Sequence, residues 1–213
     1  MNGVFITGSN TGVGKTTVLV DIIKYLRKNR KIIVRKPVET GCELVDGSFV
    51  PKDAVRLNEA CSSDEDLDTV CPFCLELEAS PEEASIHSGS LLELDELVKA
   101  CRHNAGDNFV FIEGAGGFFS PIANKALNSD LAVQLNLPVI IVVRDELGAV
   151  TQALLTINAA KSQQLKTACV VLNEIEPNQL HNAEALRAYT EVPIIEYSKN
   201  NLSNFCSKVE ALI

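Results

Sequence analysis

Short apolar runs rich in β-branched residues alternate with helically spaced apolar positions along almost the whole chain. The strand-like runs are Gly3–Thr7, Lys31–Lys36, Asn108–Ile112, Val139–Val143, Thr167–Leu172 and Val192–Ile195. Helical spacing is clearest in Thr16–Lys28, Leu91–Cys101, Gly148–Lys161, Asn182–Tyr189 and Leu202–Leu212. This alternation predicts an α/β fold, a mostly parallel sheet with helices on both faces. Every strand of such a sheet opens its carboxyl end on the same edge, and ligands bind there. Residues just after strands are therefore the first candidates for chemistry.

One stretch breaks the rhythm. Glu39–Ser90 holds Gly41, Gly47, Pro51, Pro72 and Pro81, an acidic patch from Asp64 to Asp68, and one expected helix near Asp53–Cys61. An insertion of this length after a strand predicts a lid or a substrate-side excursion. No repeat or linker divides the chain, so residues 1–213 are expected to form one domain with 39–90 as that excursion.

Charge and composition narrow the partners. The 19 basic and 28 acidic residues give a net charge of −9, which repels nucleic acid, and no Lys/Arg run offsets it locally. No stretch of apolar residues is long enough to span a membrane, and the opening residues lack a signal peptide's basic region and cleavage site. The seven cysteines have no disulfide-framework spacing, so reduced thiols in a cytoplasm are expected. Cys71-Pro72-Phe73-Cys74 has the spacing of a metal half-site, but the other cysteines are singletons, and His87, His103 and His181 are scattered.

The strongest motif is Gly8-Ser9-Asn10-Thr11-Gly12-Val13-Gly14-Lys15-Thr16-Thr17, which follows a predicted strand and opens a predicted helix. Its glycines let backbone N–H groups turn inward around phosphate oxygens, with the positive helix end behind them. Lys15 supplies a charge for the terminal phosphates, and the Thr16 hydroxyl is placed to ligate Mg²⁺. Gly12, Val13, Gly14, Lys15, Thr16 and Thr17 are thus candidate nucleotide contacts of a P-loop NTPase-type sheet.

Other strand ends add candidates. Lys36 ends the second strand, and Pro37 fixes the exit direction. A lysine there faces the phosphates that Lys15 faces, although a solvated strand-end lysine is the plainer alternative. Glu113 ends an apolar strand and begins Glu113-Gly114-Ala115-Gly116-Gly117, a carboxylate delivered to the sheet edge before glycines that permit close phosphate approach. Asp53 sits at a predicted helix start, where taken alone it reads first as an N-cap or first-turn acid. Asn173 follows a strand and reads either as a turn residue or as an amide for a purine edge.

Taken together, these motifs resemble the dethiobiotin synthetases over most of the chain. The resemblance is carried by Thr7–Thr16, Lys36-Pro37-Val38-Glu39-Thr40-Gly41, Asp53, Glu113–Gly117 and Leu147-Gly148, and the five-residue gap between Gly8 and Gly14 is itself a habit of that family. It implies an enzyme that joins 7,8-diaminononanoate, CO₂ and ATP into dethiobiotin, ADP and phosphate through a phosphorylated carbamate. It implies Lys36 and Lys15 as catalytic lysines, with Thr16, Asp53 and Glu113 holding Mg²⁺. Thr11 and Thr40 would touch substrate, and Gly114, Ala115, Gly116 and Asn173 nucleotide. The helix start Leu147-Gly148-Ala149-Val150 would catch the substrate carboxylate across a homodimer interface. Two other readings share the loop. Cobyrinate synthase-type ligases carry a fused glutaminase that 213 residues cannot hold. Partitioning and septum-site ATPases place a lysine where this chain has Asn10.

Overall fold

The computed structural model describes residues 1–61 and 65–213. Asp64, the first residue of the acidic patch noted above, lies outside the described residues. The elements run in chain order β1 (Asn2–Gly8), α1 (Lys15–Leu26), β2 (Ile32–Arg35), β3 (Val38–Thr40), β4 (Glu43–Val45), β5 (Ser48–Val50), α2 (Lys52–Ala60), α3 (Leu67–Val70), β6 (Phe73–Leu75), α4 (Pro81–His87) and α5 (Leu94–Arg102). They continue with β7 (Phe109–Gly117), β8 (Pro121–Ala123), β9 (Ala126–Leu127), α6 (Asn128–Leu135), β10 (Val139–Arg144), α7 (Ala149–Ser162), β11 (Thr167–Asn173), α8 (Asn182–Arg187), β12 (Ile194–Tyr197) and α9 (Leu202–Glu210).

Six strands form one sheet in the order β12-β11-β10-β1-β7-β2, and every pairing is parallel. Both faces are buried, and the alternation of side chains shows it. Val4 and Ile6 of β1 join Phe109 and Phe111 of β7 and Ile140 and Val142 of β10 in the core beneath α1, α2 and α9. Phe5, Val110, Ile112, Ile141 and Val143 point the other way, into the core beneath α5, α6, α7 and α8. Near its start β1 lies so close to β7 that a Cβ on Gly3 would stand 2.1 Å from the Val110 carbonyl oxygen. Glycine alone fits there.

The strand order places the chemistry. β7 sits between β1 and β2, so the carboxyl ends of three strands lie side by side. Ile6 pairs with Glu113, and Arg35 pairs with Ile112, which brings Lys36 level with Glu113.

The excursion is more structured than its sequence suggests. In place of one helix it contains α2, α3 and α4, the hairpin β4–β5, and β6, which pairs in parallel with β3. Its return path also supports the second strand end, because the Lys36 N–H donates to the Val70 carbonyl at 2.9 Å. Arg35, fully buried, ties the region down further through Glu65 (two bonds of 3.0 Å) and the His103 carbonyl (2.8 Å). Among the described residues no helix is long and apolar enough to cross a membrane.

Candidate active site

The turn after β1 is held from below and from the side. Gly14 opens α1 with φ of 87°, and a Cβ there would meet Asn173 Nδ2 at 2.2 Å. Asn173, buried at the end of β11, donates that amide to the Val13 carbonyl at 2.8 Å. Part of its hydrogen-bonding capacity is thus committed to the loop itself. Ser9 Oγ donates to Gln152 Oε1 at 2.9 Å, which fastens the loop to the first turn of α7.

The start of α1, the exit of β2 and strand β7 then meet at one oxygen. Glu113 Oε1 accepts from Lys36 Nζ at 2.9 Å and from Thr16 Oγ1 at 2.9 Å, and Lys36 Nζ also lies 3.4 Å from the Gly114 carbonyl. Glu113 Oε2 is buried and has no hydrogen-bond partner among the described residues. A bare carboxylate oxygen beside a threonine hydroxyl is a donor set that suits a hard divalent cation completed by phosphate oxygens and water. Asp53 faces the same cleft from the start of α2, so Thr16, Glu113 and Asp53 fit Mg²⁺. A metal cage made of protein alone is a different matter: among the described residues no group of three or more His, Cys, Asp or Glu side chains could hold an ion. The Cys71 and Cys74 thiols lie 3.9 Å apart, beside β3, without such a complement.

The two lysines are in opposite electrostatic situations. Burial pushes Lys15 down to about 8, Lys36 adds like-charge repulsion, and the attraction of Glu113 and Asp53 does not make up the difference. Burial also disfavours a charged Lys36, but Glu113 and Asp53, with Glu39, outweigh it and raise its pKa above the usual lysine value. Direct contact with Glu113 explains the contrast. Lys36 therefore stays an ammonium, whereas Lys15 gives up its proton more readily than an ordinary lysine.

The cleft has a volume of about 740 Å³. It collects Thr11, Gly12, Gly14, Lys15, Thr16, Thr17, Lys36, Thr40, Asp53, Glu113, Ala115 and Gly116 of the residues singled out from the sequence. Val13, Gly114 and Asn173 are not in that lining, and neither are Leu147, Gly148, Ala149 and Val150, which follow the carboxyl end of β10 and open α7. Leu147 is 88% exposed, and Gly148 opens α7 with φ of 93°. Sequence reasoning missed Glu39, Arg56, Glu78 and Ser80 as further parts of the wall. A signal for the last existed: Ser80-Pro81-Glu82-Glu83 is a helix-start pattern, and Ser80 Oγ accepts from the Glu83 N–H at 3.3 Å. Asn128 was missed as well. It is fully buried and braces the turn after Glu113, accepting from Ala115 N and donating to the Ala115, Gly117 and Ser120 carbonyls.

A parallel sheet that ends in a glycine-rich phosphate cradle, with a buried lysine, a hydroxyl and a strand-end carboxylate around one cleft, defines a P-loop nucleotide-using enzyme. A family model described as an AAA domain matches residues 2–196. The ATP-dependent dethiobiotin synthetase BioD of Ruthia magnifica subsp. Calyptogena magnifica is 47% identical over 213 residues, covering 100% of this chain and 99% of that protein. The chain belongs to the dethiobiotin synthetase family. The synthetase of the same name from Aromatoleum aromaticum (strain DSM 19018 / LMG 30748 / EbN1) is 35% identical over 198 residues, 90% of this chain and 87% of the other. Among solved structures, a plasmid partition protein from Borrelia burgdorferi superposes with a TM-score of 0.63 at 14% identity, covering 100% of both chains. The MinC:MinD cell division complex of Aquifex aeolicus gives 0.57 at 18% identity, 98% of this chain and 86% of that one. At these identities the likeness speaks for the fold alone.

Proposed function

We propose that the chain closes the ureido ring of dethiobiotin from 7,8-diaminononanoate and CO₂, converting ATP to ADP and phosphate. The observation that carries this reading is the meeting of Lys15 and Lys36, from two separate strand ends, in one cleft that also presents Thr16, Asp53 and Glu113. ATP and a carbamate bring several negative charges into a confined space, and reaction between them needs charge neutralisation and alignment more than covalent help.

The steps balance as follows. One amine of the substrate attacks CO₂ and loses a proton, giving a carbamate. A carbamate oxygen attacks the γ-phosphorus and the bond to ADP breaks. The second amine, neutral, attacks the resulting acyl phosphate carbon and loses a proton, and phosphate leaves as the ring closes. Lys36, kept cationic by its carboxylate neighbours, holds the carbamate oxygen against the γ-phosphoryl group, and Lys15 draws the terminal phosphates into the loop. Mg²⁺, held by Thr16, Asp53 and Glu113, supplies charge neutralisation on the phosphates when bound. Thr11 and Thr40, which both line the cleft, would contact the diamine.

The same reading makes the protein a cytoplasmic homodimer. Leu147-Gly148-Ala149-Val150 leads into a helix of 14 residues whose positive end suits a carboxylate, although the Ala149 N–H is donated to the Glu146 carbonyl at 3.1 Å, and it lies outside its own chain's cleft, so it serves the partner's. The deciding assay mixes protein, MgATP and bicarbonate and follows phosphate release with and without the diamine. Release that depends on the diamine supports the reading, and release indifferent to it refutes it. Sedimentation tests the dimer, and a monomer at assay concentration removes the shared site.

A further inference from the structure

Helix α2, which carries Asp53, begins without a cap of its own. Its N-cap residue is Pro51, whose side chain has no acceptor, yet the first turn of any helix presents N–H groups that need partners. The partners come from β3. Glu39 Oε1 accepts from the Asp53 N–H at 2.9 Å, and Glu39 Oε2 accepts from the Ala54 N–H at 3.0 Å. Both carboxylate oxygens are thus engaged on consecutive amides at the positions where capping side chains act. The acceptor lies 14 residues upstream of the first donor and reaches it across the cleft wall.

This arrangement bears on Asp53. A first-turn aspartate above a bare helix start tends to fold back onto the amides of its own turn. Here those amides are taken. The Asp53 carboxylate instead stays at the cleft, 40% exposed, with Arg56 as its ion-pair neighbour at 3.5 Å. Glu39 itself is buried, lines the same cleft, and pairs in register with Cys74 on β6, so its own position is fixed by the sheet.

We propose that Glu39 is a positioning residue for the metal end of the site: by occupying the Asp53 and Ala54 amides it leaves the Asp53 carboxylate free to face the cation. The inference rests on the reading of Asp53 as a Mg²⁺ ligand and assigns no contact between Glu39 and substrate. Removing an outer partner of a metal ligand weakens metal binding by roughly 10- to 100-fold.

The test measures ATP affinity by calorimetry, with Mg²⁺ and with chelator, for the wild-type protein, Glu39→Ala, Glu39→Gln, Asp53→Ala and the Glu39→Ala/Asp53→Ala double variant. The readout is the gain in affinity that Mg²⁺ confers. Asp53→Ala and Glu39→Ala are each expected to reduce that gain about tenfold, and the double variant should lose no more than either alone. Glu39→Gln, which keeps one carbonyl acceptor and the shape, should fall between and stands in if the alanine variant does not fold. Affinity without Mg²⁺ should not fall in either single variant, because each removes a negative charge and no donor from the cleft, a result that general damage to the cleft would not give. A wild-type Mg²⁺ gain in both Glu39 variants, beside a reduced one in Asp53→Ala, overturns the positioning role and leaves the Asp53 reading standing. An unreduced gain in Asp53→Ala removes both. Additive losses in the double variant overturn the proposal too, because Glu39 would then act by another route.

Discussion

Lys15 gives the most quantitative consequence of the site. Its ammonium is buried beside that of Lys36, and its pKa lies near 8 before any nucleotide arrives. A bound triphosphate restores the charge, so ATP should enter with a proton taken up from solvent. With the free value near 8 and the bound value above the working range, uptake per ATP is ~0.1 proton near pH 7, ~0.5 near pH 8 and ~0.9 near pH 9. Affinity should follow, weakening roughly tenfold between neutral pH and about pH 9 because only the protonated fraction binds. The nucleotide cannot be the source of the effect, since phosphate groups lose their last proton near pH ~6. Calorimetry in two buffers of different ionisation enthalpy measures the uptake directly, and Lys15→Met supplies the comparison without the titrating group. Proton uptake near zero around pH 8, together with flat affinity, would show that the buried ammonium is already charged and refute the reasoning.

Lys36→Met should leave Glu113 buried without its counter-charge, costing about 3–5 kcal/mol in urea unfolding and abolishing turnover; adding Glu113→Gln should restore most of the stability and none of the activity, and a single variant as stable as the parent would contradict the pairing. Gly14→Ala combines a left-handed φ with a Cβ driven against Asn173, so nucleotide binding should be lost along with about 2 kcal/mol or more of stability, as read by thermal melting with and without ATP. Asn128→Ala strands the Ala115 N–H and three carbonyls and should destabilise by about 3 kcal/mol, with chemical denaturation as the check. Burial pushes the thiols of Cys101 and Cys169 up to about 12. The unfolded chain therefore releases protons that the folded one keeps, and stability should fall above about pH 8.5, by up to ~1.4 kcal/mol per pH unit for each thiol. Unfolding curves in reducing buffer at increasing pH test this, and a rising trend would contradict it.

The main sheet was legible because its strands are buried on both faces, so Val4-Phe5-Ile6 and Val139–Val143 read as unbroken apolar runs bounded by turn residues. The phosphate loop and the candidates Lys36 and Glu113 were legible for a related reason: once strands are placed, the residues that follow them are placed too. Strand ends were less so. β7 runs on through Gly117, past Ile112 where its apolar run stops, because glycines at a sheet edge carry no hydrophobic signal. The excursion hid most of its structure, since β3, β6 and the hairpin β4–β5 are three residues long and cannot show a period. Helix α6 stayed hidden because it begins with Asn128-Ser129-Asp130, polar residues whose burial comes from bracing a turn rather than from hydrophobicity. Asn173 illustrates the limit most clearly. Its position after an apolar run marked it as useful, but only the register of β11 beside the loop shows its amide spent on Val13.

The single oxygen shared by Lys36 and Thr16 has a consequence for how the enzyme waits between turnovers. Glu113 already supplies the negative charge that both groups face. It fixes an ammonium and a hydroxyl against one oxygen before any nucleotide binds. Much of the ordering that phosphoryl transfer demands is thereby completed during folding. In the proposed reaction a triphosphate would meet groups that are already arranged and would not have to recruit them one by one.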